Sequence, residues 1–402
     1  MRFFLGGVPF GCNNIGDEAI LAGVIEILRR NFKDCKITVS TGTPQETASL
    51  LHVETVPLYG FKQEYPLSGL IPHLKQCDAF VWAGATGLSD YPQMGISILR
   101  QAQHLGLKTV VWAVGMDSQL NPAFFKLAGK KLFLSKVLNT LAFNKINFTH
   151  IIEEKIIRQM KNMIASTLFN CGLIICRDPE SQQALMDCSP KLPVTVGADS
   201  ALIFNNPNLN DLSHLDAIIQ ENLMGNYEKI GFCISAQRQI SNTESLINSM
   251  DKLLESPNRR MFFIPMNPRT DFCLMKELRN RMRNKDRSFL MENCEQPKHV
   301  LALVSKCSVV VSSRLHLLIL SANTGTPIVG ISRGSKIDNF LAQFELKSAG
   351  SVYNCDFDLL IQQTESLISN PLPFKQKRDL VYKSLYERLS KAESLLSEYI
   401  SH

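Results

Sequence analysis

Two successive α/β halves built on parallel sheets are what this sequence predicts, and three observations predict them. Short apolar runs alternate with amphipathic stretches from end to end, the signature of parallel α/β sheets. At 402 residues the chain exceeds what one core usually serves, so two domains of about 200 residues are expected. The rhythm restarts near residue 230, after the turn-forming run Asn205-Asn206-Pro207-Asn208-Leu209-Asn210. The expected organisation is two facing Rossmann-like domains, 1–205 and 206–370, with a central cleft, followed by an amphipathic helix within 371–402.

The elements follow in order. Met1–Leu5, Lys36–Thr41, Ala79–Ala83 and Thr109–Val114 are apolar or β-branched runs of strand length, and Leu173–Cys176 and Val194–Val196 are shorter ones. Gly16–Arg30 and Gly95–Leu105 carry helical periodicity between them. In the second half the strands are Ile230–Ile234, Met261–Pro265, Val309–Val311 and Ile328–Ile331. The helices are Thr243–Leu254, Cys273–Arg283 and Pro297–Lys306, with a last one at about Gln376–Tyr399 after Pro371 and Pro373.

Composition narrows the class. An apolar share of 45% with 20% charged residues is ordinary for a globular protein, and no run reaches the ~18–20 apolar residues of a membrane span. Met1–Val8 is too short in its apolar part for a signal peptide. The eleven cysteines form no Cys-x-x-Cys pair and no metal-like cluster, so free thiols in a reducing cytoplasm are expected, with no metal. Between Asn121 and Ala165, eight Lys/Arg face two acids; this net +6 equals that of the whole chain. A basic amphipathic insertion with aromatics at 121–165 suits a peripheral contact with an anionic membrane surface. For a charge run alone, a solvated face over a core stripe is the simpler reading. Nucleic acid is not expected, because the cations form no extended stripe and no reader motif appears.

Two motifs carry chemistry. Val309-Val310-Val311-Ser312-Ser313-Arg314-Leu315-His316 reads as a strand ending in a polar turn before a helix. Ligands collect at the carboxyl ends of strands in open parallel sheets, and a guanidinium fork there matches a phosphate or carboxylate. An arginine capping a neighbouring carboxylate beside a core histidine is the competing account of the same residues. Gly6–Leu21, with Asn13, Asn14, Gly16, Asp17 and Glu18, links the first strand to the first helix. Its glycines permit close backbone approach, and Asp17 complements the helix dipole. It is neither a dinucleotide fingerprint nor a P-loop.

In this order the pieces resemble the polysaccharide pyruvyl transferase family. The resemblance rests on Gly11–Leu21, Ala83-Gly84-Ala85-Thr86-Gly87-Leu88-Ser89-Asp90, Ala113–Met116, Cys176–Ser181 and Gly197–Asp199. It continues through Pro265–Asp271, Ser312–His316, Gly325–Pro327 and Lys336–Asp338. It implies a GT-B-like fold and transfer of a pyruvyl group from phosphoenolpyruvate to sugar hydroxyls as a ketal, with no cofactor beyond that co-substrate. The acceptor would be a polysaccharide or a lipid- or nucleotide-linked saccharide. Residue by residue, it implies Arg177, Arg314, Ser313 and the Leu315 backbone as donor ligands, His316 as general acid-base and Asp17 as a second one. Asn13, Asn14, Gly16, Gly84, Thr86, Gly87, Arg333 and Lys336 fall to the acceptor or its loops. Two departures stand out: alanines in place of family glycines around Gly84, and Ser332-Arg333-Gly334 where the family often has Tyr-Asp-Pro. A GT-B glycosyltransferase using a nucleotide sugar, and a non-catalytic saccharide- or membrane-binding member, are the alternatives.

Overall fold

A strand can hide every side chain only when both faces of its sheet are covered, and the run Ala79–Ala83 is buried throughout. The computed structural model describes residues 1–118, 120–143 and 145–402, with the backbone alone at Pro122 and Ala123. Among these residues twelve strands gather into two parallel sheets, and Gly350–Ser351 pairs antiparallel with Asn354–Cys355 in a small third one. The first holds β1 (Arg2–Phe10), β2 (Lys36–Thr41), β3 (Glu54–Val56), β4 (Ala79–Ala83), β5 (Lys108–Val114), β6 (Leu173–Cys176) and β7 (Val194–Val196). Their order is β3-β2-β1-β4-β5-β6-β7, with Phe3 beside Ala79 and Gly6 beside Trp82. The second holds β8 (Glu228–Cys233), β9 (Arg259–Phe263), β10 (Ser288–Leu290), β11 (Val309–Ser312) and β12 (Ile328–Gly330), in the order β10-β9-β8-β11-β12. Each order reverses once, at β1/β4 and at β8/β11. Crevices at the carboxyl ends of such reversals are where open α/β sheets take ligands.

The chain forms two compact units. One comprises Met1–Pro9, Leu28–Asp199 and Ser390–His402, the other Phe10–Ile27 and Ser200–Leu389. Phe3, Phe4, Phe80, Trp82 and Trp112 fill the first core, and Ile230, Phe232, Phe262 and Phe263 the second. Physical contacts explain both exchanges. Ile15 is buried among the second unit's core residues, and its N–H donates to the Met266 carbonyl at 3.0 Å. At the other end of the chain, Arg30 pairs with Glu393, and Lys108 Nζ donates to the Ile400 carbonyl at 2.7 Å.

Most of the expected elements form with shifted ends: the first helix runs Ile15–Asn31 and the last Leu372–Ser401. The strands β3 and β10 had no counterpart in the sequence reading. Each has three residues at a sheet edge, too few to show a period. The basic stretch 121–165 folds as helices Pro122–Phe125, Gly129–Leu141 and Phe148–Phe169, and Asn144 within it lies outside the described residues. Among the described residues no helix is long and apolar enough to cross a membrane.

Candidate functional site

The second unit concentrates the motif residues. β11 ends in Ser312, whose Oγ accepts from the Arg314 N–H at 2.8 Å, and the helix Leu315–Asn323 starts immediately after. Arg314 closes a two-point fork on Asp271: Nε to Oδ2 at 2.8 Å and Nη2 to Oδ1 at 2.7 Å. Asp271 is fully buried and also accepts from the Ala236 and Asn267 N–H groups, so it anchors three loops at once. Arg314 is 6% exposed, and its Nη1 is the nitrogen left uncommitted by the fork.

More cations gather here. Arg333, after β12, donates from Nη1 to Ser235 Oγ at 2.5 Å, and its Nε is buried without a hydrogen-bond partner. Burial, and then the like charge of Arg314, push the Arg333 pKa down to about 10. Arg238 donates from Nη1 to the Arg333 carbonyl. Neither has a carboxylate within ion-pair distance among the described residues, so of these three guanidiniums only Arg314 is ion-paired, to Asp271. A buried cation without a counter-charge is costly. The helix Leu315–Asn323 and the helix Ser335–Gln343 both start here without a side-chain cap, and helix starts favour anions. Donors and helix starts arranged in this way suit a multiply charged anion.

The Asn-x-Gly-Asp motif lies in the same unit. A Cβ at Gly16 would stand 2.4 Å from His316 Nδ1, so only glycine admits the imidazole there. Asn14 accepts from the Gly16 N–H and donates from Nδ2 to Asp17 Oδ2 at 2.7 Å, and Glu18 Oε1 takes the Gly11 N–H at 2.7 Å. Asn13 holds this turn with φ +61°. Ser313 is fully buried, with its Oγ accepting from the Ser235 N–H. Leu315 is buried at the helix start, His316 half-buried beside it, and Lys336 stands in the first turn of its helix.

Arg177 lies in the first unit in opposite company. Its Nε donates to Asp178 at 2.8 Å and its Nη1 faces Asp199 at 3.8 Å. Burial works against its charge, but Asp178, Asp199 and Asp117 outweigh it and raise the pKa. Asp178 caps the helix Pro179–Met186, accepting from the Ser181 N–H at 2.8 Å. Burial would raise the Asp178 pKa, but Arg177 and the Ser181 bonds lower it. A Cβ at Gly115 would meet the guanidinium at 2.7 Å and the Thr86 methyl at 3.1 Å, so Arg177 sits among the loops after β4 and β5. Gly84 and Gly87 are buried in the first of these loops, and Thr86 donates to Asp90.

The structure thus joins Asn14, Gly16 and Asp17 to the His316 and Arg314 group, and places Gly84, Thr86, Gly87 and Arg177 together in the first unit. Sequence reasoning missed Asp271, Ser235 and Arg238. Asp271 left a signal, as the last residue of the motif Pro265–Asp271; Arg238 is a single loop arginine and left none.

Solved structures resemble this chain over its whole length. The putative UDP-N-acetylglucosamine 2-epimerase of Listeria monocytogenes superposes with a TM-score of 0.60 at 11% identity, covering 94% of this chain and 90% of its own. HepE of Anabaena, solved with UDP and glucose, gives 0.60 at 12% identity, covering 100% and 99%. The spinosyn forosaminyltransferase SpnP gives 0.57 at 13%, covering 100% and 99%. At such identities the likeness is one of fold, and the fold is GT-B-like. No curated protein matches the chain in sequence. The family profile for polysaccharide pyruvyl transferase matches residues 14–335, from Asn14 within the first motif through the whole of the second. The chain belongs to the polysaccharide pyruvyl transferase family.

Proposed function

We propose that this protein transfers a pyruvyl group from phosphoenolpyruvate to two hydroxyls of a saccharide, releasing phosphate and leaving a ketal. The observation that carries this reading is the excess of guanidinium charge around Arg314, Arg333 and Arg238, opposed by Asp271 alone. Phosphoenolpyruvate brings a phosphate and a carboxylate, and arginine forks suit both. Arg314 Nη1, Arg333 Nε and the Leu315 N–H are the donors we assign to it.

The chemistry needs one proton moved to carbon. Protonation of the donor's methylene turns it into a methyl and leaves C2 electron-poor. One sugar hydroxyl attacks C2, the C2–O bond to phosphate breaks, and the second hydroxyl closes the ketal. The hydroxyls lose two protons: one balances the new methyl and the other leaves with phosphate. We assign the proton transfers to His316, half-buried two residues from Arg314, because an imidazole can both give and take a proton. Asp17, one helical position from Gly16, is the second candidate base. The acceptor is proposed to be a polysaccharide or a lipid- or nucleotide-linked sugar, met in the cytoplasm, and at a membrane face where it is lipid-linked.

A nucleotide-sugar reading draws on the fold neighbours, HepE having been solved with UDP-glucose. An acid placed for a ribose would favour it. The late candidate, Glu345, is instead ion-paired with Lys377 past the end of the helix Ser335–Gln343. The deciding assay incubates the protein with phosphoenolpyruvate and a panel of saccharides and follows phosphate release and the mass gain of a pyruvyl ketal. His316→Ala should lose about 100- to 10,000-fold in turnover while still binding the donor. Turnover of a UDP-sugar in place of phosphoenolpyruvate would overturn the reading.

A further inference from the structure

A helix in water normally buries its apolar stripe and exposes its polar one. Gly129–Leu141 does the reverse. Its inward contacts are polar: Ser135 is buried and shares a 2.8 Å hydrogen bond with Thr149, and Asn139 Oδ1 accepts the Phe148 N–H at 2.7 Å. Its outward positions are Phe133, Leu134, Val137, Leu138 and Leu141, the i, i+4, i+8 stripe expected of a buried face. Phe133 and Leu141 are each 71% exposed, and Phe143 just beyond is 86% exposed. Of nineteen exposed large apolar residues among the described ones, nine fall between Phe124 and Ile151. Monomeric soluble surfaces seldom concentrate apolar side chains in this way.

Charge identifies what covers the face. From Ser118 to Ile152 there are five lysines (Lys126, Lys130, Lys131, Lys136 and Lys145) and no acid. All five are exposed. A second copy of the chain would bring ten lysines together with no carboxylate in these segments to oppose them. A surface of anionic head groups over acyl chains answers both properties: apolar residues enter the boundary and lysines reach the phosphates. At 13 residues the helix lies along such a surface rather than crossing it.

We propose that the segment around Gly129–Leu141 docks the protein on an anionic lipid bilayer. The inference goes beyond the transfer reading and stands without it, since no residue of the phosphoenolpyruvate site takes part.

The test is co-sedimentation of the full chain with phosphatidylcholine vesicles, with and without about one third phosphatidylglycerol. Sedimentation is expected with the anionic vesicles and to be lost at high salt. The double variant Phe133→Ser, Leu134→Ser should lower binding at least about tenfold. Lys130→Gln, Lys131→Gln, Lys136→Gln should lower it about a hundredfold, at about fivefold per lysine. All five positions are exposed, so unchanged thermal melting verifies the fold of both variants. Equal sedimentation with both vesicle types, or no loss in either variant, overturns the proposal. So does a dimer in analytical ultracentrifugation that Phe133→Ser, Leu134→Ser dissociates while vesicle binding is absent.

Discussion

Two buried arginines, one in each unit, have opposite electrostatic surroundings. Arg177 is one cation among three carboxylates, Asp178, Asp199 and Asp117. Arg314 is one of three guanidiniums around a single carboxylate, Asp271. The first group holds more carboxylates than cations. The second is short of negative charge, and burial, followed by the like charge of Arg314, lowers the Arg333 pKa. Sequence alone made the two arginines look equivalent; their neighbours give Arg177 a surplus of carboxylates and Arg314 a surplus of guanidiniums.

Removing a partner should break each group in its own way. Asp271→Ala and Arg177→Ala each leave buried charge uncompensated and should cost about 3–5 kcal/mol in urea unfolding. Added inorganic phosphate should restore part of the loss in Asp271→Ala and none in Arg177→Ala. Equal rescue of both would erase the contrast. Gly16→Ala sharpens the cationic side: its methyl must displace His316, which should lower transfer about a hundredfold while donor binding persists.

Asp178→Asn probes the acidic side, since asparagine keeps the helix cap and loses the charge. About 1–2 kcal/mol of stability should go at neutral pH. The pH dependence has a definite sign. The folded pKa of Asp178 lies below its unfolded value, so its contribution is full above the ordinary carboxylate range. It is lost as pH falls through the folded pKa, and wild type and variant should converge in acid. A constant gap across pH would mean that the charge contributes nothing. Smallest is Ala85→Gly. Ala85 holds φ +60°, a left-handed conformation that glycine adopts without steric cost, so the change should stabilise the loop by under about 1 kcal/mol.

Both sheets were legible from the sequence because their central strands are continuous apolar runs such as Val309–Val311. β3 and β10 were not: they are short edges that begin on Glu54 and Ser288, whereas the equally short Val194–Val196 and Ile328–Gly330 begin on a valine or an isoleucine. Chain order could not reveal that Phe10–Ile27 joins the second unit, because that depends on Ile15 finding Met266 about 250 residues away. The motifs around Gly16 and His316 were visible separately; the van der Waals fit that makes them one site was not. Arg333 was noticed as a departure from the family pattern, yet its meaning came from Arg238 and Ser235, which carry no pattern of their own. The apolar residues of Gly129–Leu141 read as a core stripe, and only their exposure reversed that reading.

We propose that the guanidinium cluster of the second unit receives the anionic donor. Titrating phosphoenolpyruvate and UDP-glucose against the wild type and Arg333→Gln, read by thermal shift, tests it most directly. Stabilisation of the wild type by phosphoenolpyruvate and not by UDP-glucose is expected. In Arg333→Gln the donor's affinity should fall about 10- to 100-fold without loss of stability in its absence, as for a charge-assisted bond at a desolvated cation. Undiminished phosphoenolpyruvate binding in Arg333→Gln would contradict it.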